Sequence, residues 1–330
     1  MDEVLSKVFA LLRYPLALLV VYLHIDSCPV SFGAIYDVDE PVFYLIKIMV
    51  VILAQLAVPC FFIISGYLFF FKHKTLSIED YVSVIRKKNR TLLIPYLVWN
   101  LLAVVYLKIT QDITLISFYD IFVSPANFPL WFLRNLIVLF WMYPLILAVF
   151  KMKWLGLILL LFIFYVSALF NLLHPYTYKS LFFFAVGGFW GVYGNGIIGR
   201  MSGLKKYLYS MTIILYFLYV FTLGNESVLL SNSYLIFGCV SLFLFVYNNV
   251  KKGRLSFYPL LGEASFFIYV SHKVGFTAFA KRMFFLLPEN EFGHIFNFLL
   301  APVLATLLCV CVYRLIFKKL EYFLGWTIGK

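Results

Sequence analysis

Phe9–Ile25 reads FALLRYPLALLVVYLHI, an apolar run interrupted by two strongly polar side chains, Arg13 and His24. Apolar stretches of roughly twenty residues can cross about 30 Å of hydrocarbon as helices. Eleven positions separate Arg13 from His24, so on a helix they point to nearly the same side, about 16 Å and three turns apart. A guanidinium in hydrocarbon costs on the order of 3 kcal/mol by insertion scales, and an imidazole adds to that cost. The pair therefore predicts a helix whose polar side faces an interior pathway.

The rest of the chain agrees with a bilayer setting. Of its 330 residues, 64% are hydrophobic and 13% charged, and the mean hydropathy is +0.95. A soluble domain carries nearer a quarter charged residues. Ten apolar segments are expected to be helices, at about 8–25, 45–71, 92–108, 130–150, 154–172, 180–196, 207–223, 232–249, 260–280 and 295–317. The fold class expected is all-α and polytopic, in a single membrane domain over residues 1–330 with no appended soluble domain. No internal repeat is visible.

Charge sets the expected orientation. The residues before Val8, the loops Lys72–Thr91, Lys151–Lys153, Gly199–Lys206 and Lys251–Arg254, and the tail from Lys318 hold eighteen Lys and Arg. The opposite loops hold four, Lys108, Lys179, Lys281 and Arg282. The positive-inside rule then puts both termini in the cytoplasm. The net charge of +12 reads as topology and as a match to anionic lipid headgroups, with no nucleic-acid partner implied. Arg13 interrupts the first segment and no small-residue exit site follows it, so a retained helix is expected. Cys60, Cys239, Cys309 and Cys311 fall inside spans and Cys28 in an outer loop, a pattern of packing with no disulfide framework and no metal.

Few polar residues lie in the spans. His272, in SFFIYVSHKVG, lies past the middle of the ninth segment, at a depth it could share with His24. Each histidine has a plainer reading, an interfacial hydrogen bond for His24 and a helix-to-helix hydrogen bond for His272. Arg13 could instead snorkel to the cytoplasmic headgroups. As a functional group it would bind an anion entering from the cytoplasm. Lys72, Lys74, Arg86, Lys87, Lys88 and Arg90 form a basic cluster within nineteen residues of the second loop, either a topology signal or a mouth for a nucleotide-bearing ligand. Pro95 frees backbone carbonyls just beyond Arg90. Pro59 and Gly66 suggest a bent helix around Ser65, or simple close packing. Trp131 and Arg134 open the fourth span, where an aromatic belt would explain the tryptophan. Glu263 could be a helix N-terminal charge.

In their order along the chain these residues resemble the integral-membrane acyltransferase-3 family. The likeness runs through Arg13 with His24, PCFFIISGYLFF, RTLLIPYLVW, PLWFLRNLIVLF, LFFFAVGGFWG and LGEASFFIYVSH, and covers nearly the whole chain. It implies transfer of an acyl group, commonly acetyl from acetyl-CoA, to a hydroxyl of a surface polysaccharide or lipid-linked sugar in a bacterial inner membrane. It implies a catalytic set of His24, His272 and Arg13. Arg13, Ser65, Arg86, Lys87, Lys88 and Arg90 would hold acyl-CoA, and Trp131, Arg134, Glu263 and Tyr269 the acceptor. A homodimer is compatible with it. Relatives often carry an acidic residue after WFLR, where this chain has Asn135, which puts a salt bridge at that site in doubt. Acyl transfer needs a base for the hydroxyl proton, donors for the thioester oxyanion and exclusion of water, and a neutral imidazole can be that base. The competing reading is a transporter or flippase of a lipid-linked sugar that uses Arg13, His24 and His272 as a proton relay.

Overall fold

The structure is a computed structural model and describes residues 2–25, 41–75, 78–111, 125–194, 196–222, 227–256, 258–284, 287–288 and 290–329. Cys28, expected in an outer loop, lies outside them. The described residues form helices and turns, with no strand among them. In chain order these are α1 (Glu3–His24), α2 (Pro41–Ala54), α3 (Ala57–Lys72), α4 (Ile78–Lys88), α5 (Ile94–Gln111), α6 (Trp131–Trp141), α7 (Tyr143–Lys151) and α8 (Trp154–Leu169). There follow α9 (Pro175–Tyr193), α10 (Ile197–Met201), α11 (Lys205–Phe221), α12 (Val228–Lys251), α13 (Pro259–Ser271), α14 (Thr277–Arg282), α15 (Glu291–Val312) and α16 (Glu321–Leu324).

Each of the ten apolar segments falls on helix, but the helices are not ten plain rods. Five, Glu3–His24, Pro41–Lys72, Glu79–Thr110, Val228–Lys251 and Glu291–Phe317, are long and apolar enough to cross a membrane, and up to seven if each bent pair is one span. The departures from ten have local causes. Pro144, which lacks an N–H, sits at the start of α7 where the chain bends by 61° after α6. Helix α8 has 16 residues, about 24 Å, short of a full hydrocarbon layer. Between α13 and α14 the chain leaves helical geometry at Val274 and Gly275, the latter at φ 89°, a backbone setting that glycine adopts without a Cβ penalty.

Helix α1 is the centre of the bundle and touches α2, α3, α12, α13 and α15. Its Val8, Ala17 and Val21 have no exposed surface. Its buried residues, Leu5, Val8, Phe9, Leu12, Leu16, Ala17, Val20 and Val21, recur at three- and four-residue spacing and form one packed stripe. The tightest pair is α3 with α9. At Gly66 a Cβ would come within 2.0 Å of the Phe184 carbonyl oxygen, and at Gly187 within 2.1 Å of that of Ile63. Gly66 therefore serves close packing, the second of its two expected roles, because small residues let membrane helices approach backbone to backbone. The pairing joins PCFFIISGYLFF to LFFFAVGGFWG.

The basic loop is the short helix α4, followed by a π-helical turn at Asn89–Leu93 that leads into Pro95. The wider turn re-pairs backbone groups next to the proline, with the Ile94 N–H bonded to the Asn89 carbonyl. Tyr81 Oη donates to the Trp141 carbonyl (3.0 Å) and Trp141 Nε1 to Asn89 Oδ1 (3.0 Å), which fastens α4 to the end of α6.

The glycine contact yields a prediction. Gly187→Val should destabilise the protein by about 1–3 kcal/mol or prevent folding, since overpacking forces the backbones apart. Gly203→Ala, with open space around it, should leave the thermal midpoint in detergent unchanged.

Candidate functional site

Helices α1 and α13 bring His24 and His272 together, with ring centroids 5.4 Å apart. His24 is half-buried and His272 fully buried. Each ring binds its own helix one turn back: His24 Nδ1 lies 2.7 Å from the Val20 carbonyl oxygen, and His272 Nδ1 2.9 Å from that of Ile268. A carbonyl oxygen only accepts, so Nδ1 carries the proton in both rings. The neutral imidazole then presents Nε2 as its lone pair. His272 Nε2 is buried with no hydrogen-bond partner among the described residues, an arrangement that costs about 1–3 kcal/mol and calls for an explanation beyond packing.

The break after His272 positions a further group. Lys273 Nζ donates to the His24 carbonyl at 3.1 Å, closing the C-terminal end of α1 with a cation, where the helix dipole favours one. Phe128 stands 5.9 Å from the His24 ring, centroid to centroid, in the 3₁₀ turn Phe128–Leu130. Asn127 holds that turn: its N–H donates to Asn100 Oδ1 (3.1 Å) and its Nδ2 to the Val270 carbonyl (2.8 Å). Tyr269 donates its hydroxyl to the Pro129 carbonyl. Tyr269 thus pins the turn that carries Phe128 and Trp131, and touches the expected acceptor site through that turn.

Leu23, the neighbour of His24 in sequence, lines a cavity of ≈ 310 Å³ together with Gln55, Trp131, Tyr176, Lys179 and Tyr219; neither histidine is in its lining. Trp131 stacks on Tyr176 at 4.1 Å, which in turn meets Phe128. Arg134 Nε and Nη2 donate to Asn135 Oδ1 (3.3 and 3.2 Å), and Asn135 Nδ2 donates to the Tyr176 carbonyl (3.0 Å) and Ser180 Oγ (3.2 Å). The amide keeps a contact with Arg134 without a charge. It also donates toward α9, which a carboxylate could not do.

Arg13 does not join this cluster. Its side chain is exposed, while Ala17 and Val20, on the same side of α1 between it and His24, are 0% and 1% exposed. The expected open stripe from guanidinium to imidazole is packed. Phe9, Ala17 and Val20 flank Arg13 on a buried side of the helix, whereas the exposed Pro15 lies on the opposite side. Arg13 therefore opens toward the N-terminal end of the bundle, past exposed Ser6 and half-buried Ala10. Arg86, Lys87 and Arg90 are exposed on α4 and its π turn. Lys88 turns inward, with Nζ 4.3 Å from the Phe140 ring centroid. Burial first, and then the charge of Lys88, holds the nearby His73 imidazole below its usual range, with Lys72 and Lys87 adding to the effect against Asp80. Ser65 is half-buried in α3.

Glu263 is also apart, at the other end of α13 from His272. It accepts from Lys318 Nζ at 2.9 Å, an exposed ion pair. Sequence reading passed over Lys273, Asn100, Asn127 and Lys47. The last is a lysine in α2 only 3% exposed, which the logic applied to Arg13, a charge inside an apolar run, would have singled out. Among the described residues no cluster of His, Cys, Asp and Glu suits a metal ion, and Cys60 and Cys239 are free thiols in contact at 3.5 Å.

The role of Tyr269 can be tested directly. Tyr269→Phe leaves the Pro129 carbonyl without its buried donor and should cost about 1–3 kcal/mol of stability, read as a lowered thermal midpoint in detergent.

Comparison with known proteins places this geometry. Over 111 residues the chain is 32% identical to the Succinoglycan biosynthesis protein ExoH of Rhizobium meliloti (strain 1021), a match that covers 28% of this chain and 30% of that protein's length. No solved structure matches. The family model described as "Acyltransferase domain" (Acyl_transf_3) matches residues 9–314, from the second turn of α1 to just past the end of α15, and takes in His24 and His272. The chain is an integral membrane protein that belongs to this acyltransferase family.

Proposed function

We propose that this acyltransferase moves an acyl group, acetyl in the simplest case, from acyl-CoA to a hydroxyl of a surface polysaccharide or lipid-linked sugar, with His24 as general base. The observation that carries the reading is the tautomer: His24 Nδ1–H donates to the Val20 carbonyl, so Nε2 is the basic atom. His24 is the more accessible of the two rings. In the reaction His24 Nε2 takes the hydroxyl proton as the oxygen attacks the thioester carbon. Collapse of the tetrahedral adduct expels the CoA thiolate, which recovers that proton. His272, 5.4 Å away, would orient the acceptor or the adduct.

The neighbouring cavity suits a sugar. It combines aromatic walls, Trp131 and Tyr176, with the polar Gln55 and Lys179, the mixture by which such pockets fix a ligand's orientation. At the opposite end, Arg13, Arg86, Lys87 and Arg90 are exposed cations suited to CoA phosphates. Since Ala17 and Val20 are packed, the pantetheine arm has to pass beside that stripe of α1. With both termini cytoplasmic, the donor approaches from inside and the acceptor from outside. Glu263, paired with Lys318, is left out of the acceptor site. The relay of the carrier reading loses its first step, because Arg13 is separated from the histidines by packed side chains.

Two outcomes test this. His24→Ala should lower acyl transfer by about 10²–10⁴-fold while the chain stays in the membrane. Mass spectrometry of surface glycans and lipid-linked sugars should show loss of an ester, about 42 daltons for acetyl. In sealed inside-out vesicles, acyl-CoA added outside should acylate an acceptor held in the lumen. Turnover that ignores acyl-CoA and follows the pH gradient would instead identify a carrier.

A further inference from the structure

Along α3, α9 and α12 the sugar-sized cavity is succeeded by a second one of ≈ 350 Å³: the lining passes from Phe62 to Ile63 on α3, from Phe183 to Val186 on α9 and from Leu235 to Val240 on α12. Its walls include Trp154, Val186, Phe189, Met201, Val240 and Phe243, and all its lining residues are apolar or tryptophan. Water needs two to four polar partners to occupy a cavity stably. Nothing here supplies them, so the occupant that fits is hydrocarbon.

Basic residues flank the lining of this slot in sequence. Trp154 and Met201 lie on its wall, next in sequence to Lys153 and Arg200. Tyr193 Oη donates to the Phe150 carbonyl at 3.0 Å, tying the end of α9 to the Lys151–Lys153 turn. Ser202 Oγ donates to Asn248 Oδ1 at 2.6 Å, tying the turn before α11 to the end of α12. Three chain segments thereby converge with Lys151 and Lys153, Arg200, Lys205 and Lys206, and Lys251, Lys252 and Arg254. None of the three contains an acidic residue. Trp154 is 64% exposed at the rim, as expected for an aromatic side chain at the depth of headgroups.

We propose that this slot binds one hydrocarbon chain of an anionic phospholipid whose phosphate rests on the basic rim, chiefly on Lys153 and Arg200. Charge complementarity selects the headgroup and the dry walls select the chain. The site stands apart from the histidines and does not depend on the acyl-transfer reading. A lipid wedged between α9 and α12 would fill a gap between two helices that α3 bridges.

The test is native mass spectrometry of the full-length protein in detergent, loaded with dioleoyl phosphatidylglycerol or dioleoyl phosphatidylcholine. The wild-type chain should retain phosphatidylglycerol in preference. Lys153→Gln and Arg200→Gln should each reduce that preference by about fivefold, the effect of one cation near an anionic headgroup. Val240→Trp, which fills the slot, should abolish the retained lipid. Should that variant fail to fold, Val186→Ser, which places a hydroxyl in the wall without added bulk, should weaken retention. Equal retention of both lipids by the wild type, unchanged retention after the wall is altered, or displacement of the lipid by glycerol phosphate alone would overturn the proposal.

Discussion

Two imidazoles each commit one nitrogen to the carbonyl a turn earlier on their own helix, and the rest of the site is organised around that commitment. Inside a bundle little water competes for a nitrogen bonded to its own helix. The Nδ1–H bonds of His24 and His272 therefore set both tautomers without help from a carboxylate. A backbone carbonyl in place of a carboxylate adds no charge to an apolar bundle. What remains without a backbone partner is the pair of Nε2 atoms, that of His272 buried, brought to one place because α13 packs against α1.

That packing is held from several sides. The break at Gly275 ends α13 where Lys273 can reach the His24 carbonyl. Asn127 and Tyr269 fix the turn before α6 to α13, and through it the Trp131–Tyr176 stack beside the cavity. Each of these bonds involves a backbone carbonyl left free by a helix end, a kink or a turn. Such groups have to be paired inside a membrane protein, so the irregular backbone and the polar side chains occur in the same places. The regular helices, above all α3 and α9 with their glycine-mediated contact, provide the rigid wall against which this is built.

The chain divides into two chemical ends. At one lie the histidines and a cavity with mixed walls. At the other lie the basic helix α4, the exposed Arg13 and the cation-rimmed apolar slot. The packed Ala17–Val20 stripe separates them along α1. Two reactants arriving from opposite faces would meet only at the far end of that stripe.

Composition and hydropathy alone determined that this is a helical membrane chain, because hydrocarbon leaves a backbone few other ways to pair its polar groups. Arg13 and His24 were legible as a same-side pair because helical periodicity is a local property. The motif order of the family was equally legible, from the residue strings alone. The tertiary structure decided what depends on neighbours distant in sequence: that His24 meets His272, that Asn135 serves Arg134 and α9 together, that Glu263 belongs to Lys318, and that Arg13 opens away from the histidines. It also decided how helices bend, since Pro144 and Gly275 act on geometry that hydropathy does not register. A helical wheel shows which side a residue occupies, but only the packed helices around it determine whether that side is open.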